Sequence, residues 1–195
     1  MKAISKICSA VLLVSFGSAA QATDCSQWPH FSSTEDYLEP LSVPATKIGQ
    51  HLTASEHADG IVFSSRRRGA DIWLDIETYP GATVAIAGTR AIMIAGRLMD
   101  ENFKRLMLED DGTPIFAISE PDLRAVGCQF IWASEGGQNP IALMREFYKA
   151  MVWYEDGAPL SDQWNGSLMG DSTLAARLNA EALIPKWIMS AVDMQ

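Results

Sequence analysis

Alternation of apolar and polar positions is clearest along Ile72-Trp73-Leu74-Asp75-Ile76-Glu77. Ile72, Leu74 and Ile76 face one way, and Trp73, Asp75 and Glu77 the other. A period of two marks a half-buried strand. Ile61-Val62-Phe63 is a short apolar strand before it, and Arg66-Arg67-Arg68-Gly69 between them reads as a turn. Tyr79-Pro80-Gly81-Ala82 reads as another turn, with Pro and Gly where a type II turn wants them. Val84-Ala85-Ile86-Ala87 and Ala91-Ile92-Met93-Ile94-Ala95, separated by Gly88-Thr89, are expected to be strands of an antiparallel meander. The alternative makes residues 89–108 helical, because Met99, Phe103, Leu106 and Met107 also fit one helical face. Glu109-Asp110-Asp111-Gly112 is an acidic turn carrying the Asp-Gly hairpin signal, and Ile115–Ile118 is the strand after it.

Beyond this point the period lengthens. Ser119-Glu120-Pro121-Asp122 resembles a helix entry, with Ser119 as cap and Pro and acids early. Gly127 is expected to end that helix and Cys128–Trp132 to return to strand. Asn139 caps the next helix and Pro140 takes its first position; Met144, Phe147, Tyr148 and Met151 recur at helical spacing. Gly157 and Pro159 close it. A last helical region starts near Asp171-Ser172, carries Leu174 and Leu178, is broken or kinked at Pro185, and continues with Trp187, Ile188, Ala191 and Val192. Upstream, Ser33–Asp36 resembles a short helix start stopped by Pro40. Pro44 opens another short helix with Ile48 and Leu52 on one face, weakened by Gly49. Together these elements predict an α+β fold: a mainly antiparallel sheet over about residues 60–132, packed against C-terminal helices at about 140–154 and 172–193. No repeat or linker divides residues 23–195, which are expected to form a single globular domain.

The N-terminus follows a different pattern. Lys2 and Lys6 precede an apolar run from Ile7 to Phe16, and small residues lead to Ala20-Gln21-Ala22. Charged head, short apolar middle and small-residue end describe a secretory signal peptide, cleaved after Ala22. The run is about half the roughly 20 residues that a membrane-spanning helix needs, and no later segment reaches that length without a charge. The expected address is therefore the periplasm or the exterior, with no membrane span.

Cleavage changes the remaining arithmetic. Cys8 leaves, so the mature chain keeps Cys25 and Cys128 of the three cysteines. Two cysteines in an oxidising compartment imply one disulfide, closing a loop of about 100 residues and contributing about 4–5 kcal/mol in the chain-entropy model. The bases fall from 15 to 13 with the loss of Lys2 and Lys6 while the 24 acids stay, so the net charge moves from −9 to −11. A chain this acidic repels phosphate backbones, so no nucleic-acid partner is expected.

Candidate chemistry is sparse. His30, His51 and His57 match no metal-ligand spacing, and no metal or cofactor is expected. There is no Gly-x-Ser-x-Gly elbow and no Cys-x-x-Cys pair. Asp75 and Glu77 share a strand face, where two acids usually meet solvent. Three features remain as candidate binding residues. Arg66, Arg67 and Arg68 form a basic run that could grip a carboxylate-rich partner. Trp73, one of six tryptophans, is either an exposed anchor or part of the core. Gly136, Gly137 and Asn139 lie in a loop read as joining a strand to a helix, where free backbone N–H groups could hold an anion.

These readings favour an exported, non-catalytic protein that binds another envelope or secreted macromolecule, as an inhibitor, immunity-like protein or assembly factor. The alternatives are a small periplasmic hydrolase with an acid–histidine site and a small-anion binder at the Gly136–Pro140 turn.

Overall fold

The computed structural model describes residues 43–55, 58–84, 86–136 and 140–191. Five strands form one sheet in the order of the chain: β1 (Val62–Arg68), β2 (Asp71–Thr78), β3 (Arg105–Asp110), β4 (Thr113–Ser119) and β5 (Met151–Trp153). All neighbouring pairs are antiparallel except β2 and β3, which run parallel. The helices are α1 (Ile48–Ala54), α2 (Ile86–Leu98), α3 (Glu120–Gly136), α4 (Pro140–Ala150) and α5 (Leu168–Leu178). A π-helix over Asn179–Ile188 continues α5. The α+β class expected from the pattern is the class observed.

Two tight loops set the register. Gly69 takes φ +62° at the first loop position between β1 and β2, which a two-residue hairpin loop of this kind reserves for glycine. Asp111 and Gly112 both have positive φ, 45° and 84°, as the type I′ loop signalled by Asp-Gly requires. Alternation then places Ile72, Leu74, Ile76, Leu106, Leu108, Phe116 and Ile118 on one face, all buried in a core cluster. Every helix adds to that cluster, through Ile48 and Leu52, Ile92 and Ala95, Leu123 and Val126, Phe147 and Tyr148, Leu174 and Leu178, and then Leu183 and Trp187. Met107 and Ala117 point the other way and are buried without joining it.

Several elements differ from their sequence reading. Residues 86–98 are helical, not two strands. Ala87, Ala91, Ile92, Met93 and Ala95 are all buried, and a helix buried over most of its surface shows no polar stripe to set its period apart from a strand's. The helix also supplies the crossover that parallel β2 and β3 need. Residues 105–110 are then strand, so a helix over 89–108 does not form either. Helix α3 begins at the predicted point, with Ser119 Oγ accepting from Asp122 N at 3.3 Å, but it runs through Gly127 and Cys128 to Gly136. Gly127 is a packing residue: a Cβ there would lie 2.7 Å from Arg97 N and 2.8 Å from Met93 O, on α2. Gly96 makes the reciprocal approach, 2.3 Å from the Leu123 carbonyl. The sheet's fifth strand comes from Met151–Trp153, which pairs with β4 instead of extending α4. The last helical region starts earlier than expected, at Leu168, where Ser167 caps through Gly170 N at 3.1 Å. Pro185 sits inside the wider π turn without ending it.

Both sheet edges are partly covered. At β1, Phe63 N donates to Thr53 Oγ1 at 2.9 Å and Ser65 Oγ donates to Thr46 O at 3.0 Å. Gly49 makes this fit possible, since a Cβ there would lie 2.6 Å from Ser64 C. At β5, Trp153 N donates to Ala158 O at 2.9 Å and Val152 pairs with Pro159. No described helix is long and apolar enough to cross a membrane.

The glycine contact between α2 and α3 yields a direct expectation. Gly127→Ala forces the two helix backbones apart, and overpacking of this kind costs about 1–3 kcal/mol. Urea unfolding of the variant should show a lower midpoint with an unchanged slope. A midpoint equal to wild type would mean that the helices separate freely.

Candidate functional site

The face of the sheet turned away from the core cluster carries the polar chemistry. Ser64, Arg66 and Arg68 of β1 lie opposite Asp75, Trp73 and Asp71 of β2. Asp71, Trp73 and Asp75 in turn lie beside Arg105, Met107 and Glu109 of β3. Trp73 is half-buried and is therefore neither a free anchor nor part of the core cluster. The Arg68 guanidinium lies 4.3 Å from the Trp73 ring centroid and the Arg66 guanidinium 5.8 Å away. Tyr154 approaches the same indole, with centroids 6.5 Å apart.

The three arginines are not on a turn, as their sequence suggested, but on β1. Strand alternation consequently splits them. Arg66 and Arg68 share the Trp73 face. Arg67 leaves it and reaches Glu101 Oε2 at 2.6 Å and the Asn102 carbonyl at 3.2 Å. Arg105 is held by both oxygens of Asp71, at 3.2 and 2.7 Å. Arg66 pairs with Glu109. Arg68 is exposed and has no ion pair among the described residues.

Glu109 is the residue that sequence reading missed. In the sequence it opens an acidic turn, yet its side chain has no exposure while that of Arg66 retains 37%. Its Oε1 is buried without a hydrogen-bond partner, as are Arg66 Nε and Trp73 Nε1. Burial pushes the Glu109 carboxyl above its ordinary range; Arg66 and Arg68 pull it back, and Asp75 pushes it further up. Asp75 is also raised, first by burial and then by Asp110. A β-bulge, with Ile115 of β4 as the extra residue, falls between the Leu108 and Glu109 pairings. The Glu109 backbone is tied down from behind, where the buried Trp187 Nε1 donates to its carbonyl at 3.0 Å. The available signal was the alternation Arg105-Leu106-Met107-Leu108-Glu109. It puts Glu109 with Arg105 and Met107, but meeting Arg66 depends on a pairing that spans β1 to β3.

The remaining candidates fall elsewhere. Gly136 ends α3, and Gly137 and Asn139 lie outside the described residues. The segment before this loop is helix, so the strand-to-helix geometry expected to hold an anion is absent. Cys128 is buried on α3 and has an interaction partner; Cys25 lies outside the described residues, as do His30, His57 and the whole N-terminal segment. Two clefts, of about 180 Å³ between Asp122, Gln129 and Lys149 and about 230 Å³ beside Gln163, Thr173 and Arg177, are smaller than the roughly 300 Å³ at which ligand pockets begin. Among the described residues no group of three or more His, Cys, Asp or Glu is placed to hold a metal ion. No protein-family model, curated protein or solved structure matches the chain.

The Glu109 environment has a pH consequence. A carboxyl raised in the folded state takes up a proton more readily than in the unfolded chain. Its penalty is absent below the ordinary carboxylate range and complete once pH rises past its folded value. Arg66, being partly exposed, can return to solvent when its partner is neutralised. Glu109→Gln should therefore raise the melting temperature at about pH 7.5 by roughly 2–4 °C, the response of a chain this size to about 1 kcal/mol. The gain should vanish near pH 4. Thermal unfolding at the two pH values checks this, and a variant less stable at pH 7.5 would show that the Arg66 pair outweighs burial.

Proposed function

We propose that this chain is an exported, non-catalytic protein of the periplasm that binds another protein through the Trp73 face of its sheet. The observation that carries this reading is Arg68, exposed, stacked on Trp73 and without an ion-pair partner among the described residues. In a chain with net charge −9, a stacked guanidinium free to take a carboxylate is a local reversal of sign. Arg and Trp are the side chains most enriched where interfaces concentrate their binding energy. The partly covered edges favour the face over strand addition as the docking mode, because added strands need unpaired backbone groups. The partner presents acidic residues, and charge complementarity of this kind speeds encounter and selects among partners.

The export reading rests on the Lys2/Lys6 head, the Ile7–Phe16 run and the Ala20-Gln21-Ala22 end. The same address supports a Cys25–Cys128 disulfide, for which Cys128 is buried and engaged.

Affinity capture of the mature protein from its own periplasm tests the function. Arg68→Glu should lose the captured partner at least tenfold in yield while the fold is kept. Lys186→Glu, a reversal at an exposed cation on the π-helix, should retain it. Equal capture by both variants would overturn the reading. Intact mass under non-reducing conditions should place the N-terminus at Thr23 with two hydrogens missing, and two alkylatable thiols in the native protein would remove the disulfide.

A further inference from the structure

The arrangement around Trp73 goes beyond a single exposed arginine. Arg66 and Arg68 are two residues apart on one strand, so they stand on the same side, separated by two strand rises, about 6.6–6.8 Å. Both guanidiniums lie against the same indole, at 5.8 and 4.3 Å. Of the two, Arg68 is unpaired among the described residues and Arg66 is held by Glu109. Glu109 is completely buried and uses one oxygen for Arg66, while the other has no partner. That pairing is the contact an incoming carboxylate would make, supplied from inside the protein.

We propose that Arg66 and Arg68 are the two arms of a clamp for an extended acidic segment, Asp/Glu-x-Asp/Glu, and that Glu109 is an internal occupant that keeps the Arg66 arm closed until it takes up a proton. The proposal rests on the Trp73 face being the docking surface. Acidic side chains at i and i+2 of an extended peptide repeat at the same strand spacing as the two arginines, so each arm meets one carboxylate without rearrangement of the sheet.

The charges facing Glu109 set the direction of the switch. From β1 these are Arg66 and Arg68, and from β2 it is Asp75, its register neighbour. Asp110, at the end of β3, acts on Asp75. The π-helix contributes the uncharged Trp187 indole, which reaches the Glu109 backbone and not its carboxylate. With Glu109 ionised, Arg66 is neutralised, and Asp75 and Glu109 together repel a second carboxylate. A proton taken from solution onto the Glu109 carboxyl removes the negative charge paired with Arg66 and leaves only the half-buried Asp75 acting on that guanidinium. Burial, which raises the Glu109 carboxyl, moves that event to a higher pH than an ordinary carboxyl would need.

The probe is an end-capped peptide carrying Asp-Val-Asp, titrated at low salt at about pH 7.5 and about pH 5.5. Its aspartates stay largely ionised at both, since free aspartate titrates near 3.9. Wild type should bind at least threefold more tightly at the lower pH. Glu109→Gln should bind at pH 7.5 as wild type does at 5.5 and lose the pH dependence. Arg66→Gln should keep the weaker single-arm affinity at both values. Asp75→Asn should move the wild-type midpoint to lower pH, because it removes a charge that favours protonation of Glu109. The Trp73 indole N–H resonance reads the switch in wild type without any substitution, and should shift with the same midpoint in the absence of peptide. Binding that is equal at both pH values, with Glu109→Gln indistinguishable from wild type, overturns the internal-occupant role and leaves the docking face standing. Absence of binding by wild type and Glu109→Gln at both pH values overturns the docking face itself.

Discussion

Trp187 joins the two faces of this protein. It is among the largest side chains without exposure, and its ring lies 6.4 Å from that of Phe63 on β1. Its one polar atom is satisfied by the Glu109 carbonyl, where the β3–β4 register shifts, as a buried indole N–H requires. The residue comes from the far end of the chain. It arrives beneath the first hairpin because the helix begun at Leu168 widens to a π turn at Asn179 and carries on through Pro185. A π segment shifts the angular position of every side chain after it. Here the shifted residue is the one that fills the space between the π-helix, β1 and β3. Gly88 on α2 completes the fit, since a Cβ there would meet Ile188 at 3.3 Å and Trp187 at 3.7 Å. Core packing on one side of the sheet thereby fixes the backbone from which Glu109 projects on the other.

A buried carboxylate paired with a partly exposed arginine is poor evidence for stability. The penalty of removing both charges from water often exceeds their attraction, and apolar replacements of similar size are frequently neutral or better. Glu109 illustrates the imbalance within one residue, because Arg66 meets one oxygen and nothing meets the other. Asp75 beside it adds repulsion. A side chain kept in such surroundings contributes a defined charge at a defined place. The neighbouring Asp71–Arg105 pair is the contrast: it is bidentate, lies on the same face and leaves no oxygen unmatched. The two ion pairs share a sheet and a chemistry and differ in whether the carboxylate is fully used.

Legibility in the sequence followed the range of the forces involved. Local signals were readable: the Asp111-Gly112 loop, the Ile72/Leu74/Ile76 alternation, the Ser119 cap and the Met144/Phe147/Tyr148 stripe each depend on residues within a turn or two of one another. The errors came where tertiary contacts decided. Gly127 looks like a helix stop by itself, and becomes a helix-interior residue only because α2 lies against it at the position of its missing Cβ. Residues 86–98 carry too few polar side chains to show a period, and their helical state follows from the need to connect parallel strands. For the site, Arg66, Arg68 and Trp73 stood out because basic and aromatic residues are conspicuous in an acidic chain. Glu109 did not, because one acid among 24 gains meaning only through register. Arg66 meets Trp73 across one pairing, and Asp75 meets Glu109 across the next.

Partial cover of both edges gives that face its consequence. A sheet with a free edge offers backbone donors and acceptors to any extended segment, with little demand on its side chains. Here α1 and the Thr46–Lys47 turn occupy the outer side of β1 through Thr53, Gly49 and Ser65, and the chain after β5 folds back to cover the other side. An extended segment meeting the face of this sheet is recognised by side chains, and strand alternation dictates which ones. Moving the register of β1 by one residue would bring Arg67 alone onto the Trp73 face and send Arg66 and Arg68 away from it. The Gly69-Ala70 loop, whose glycine holds φ +62°, fixes the pairing of Arg68 with Asp71 and of Arg66 with Trp73. A two-residue turn thus determines whether β1 presents one arginine or two to that face. The register shift at Val62/Phe63, where Glu77 of β2 is the extra residue, lies at the other end of the pair and leaves these pairings as they are.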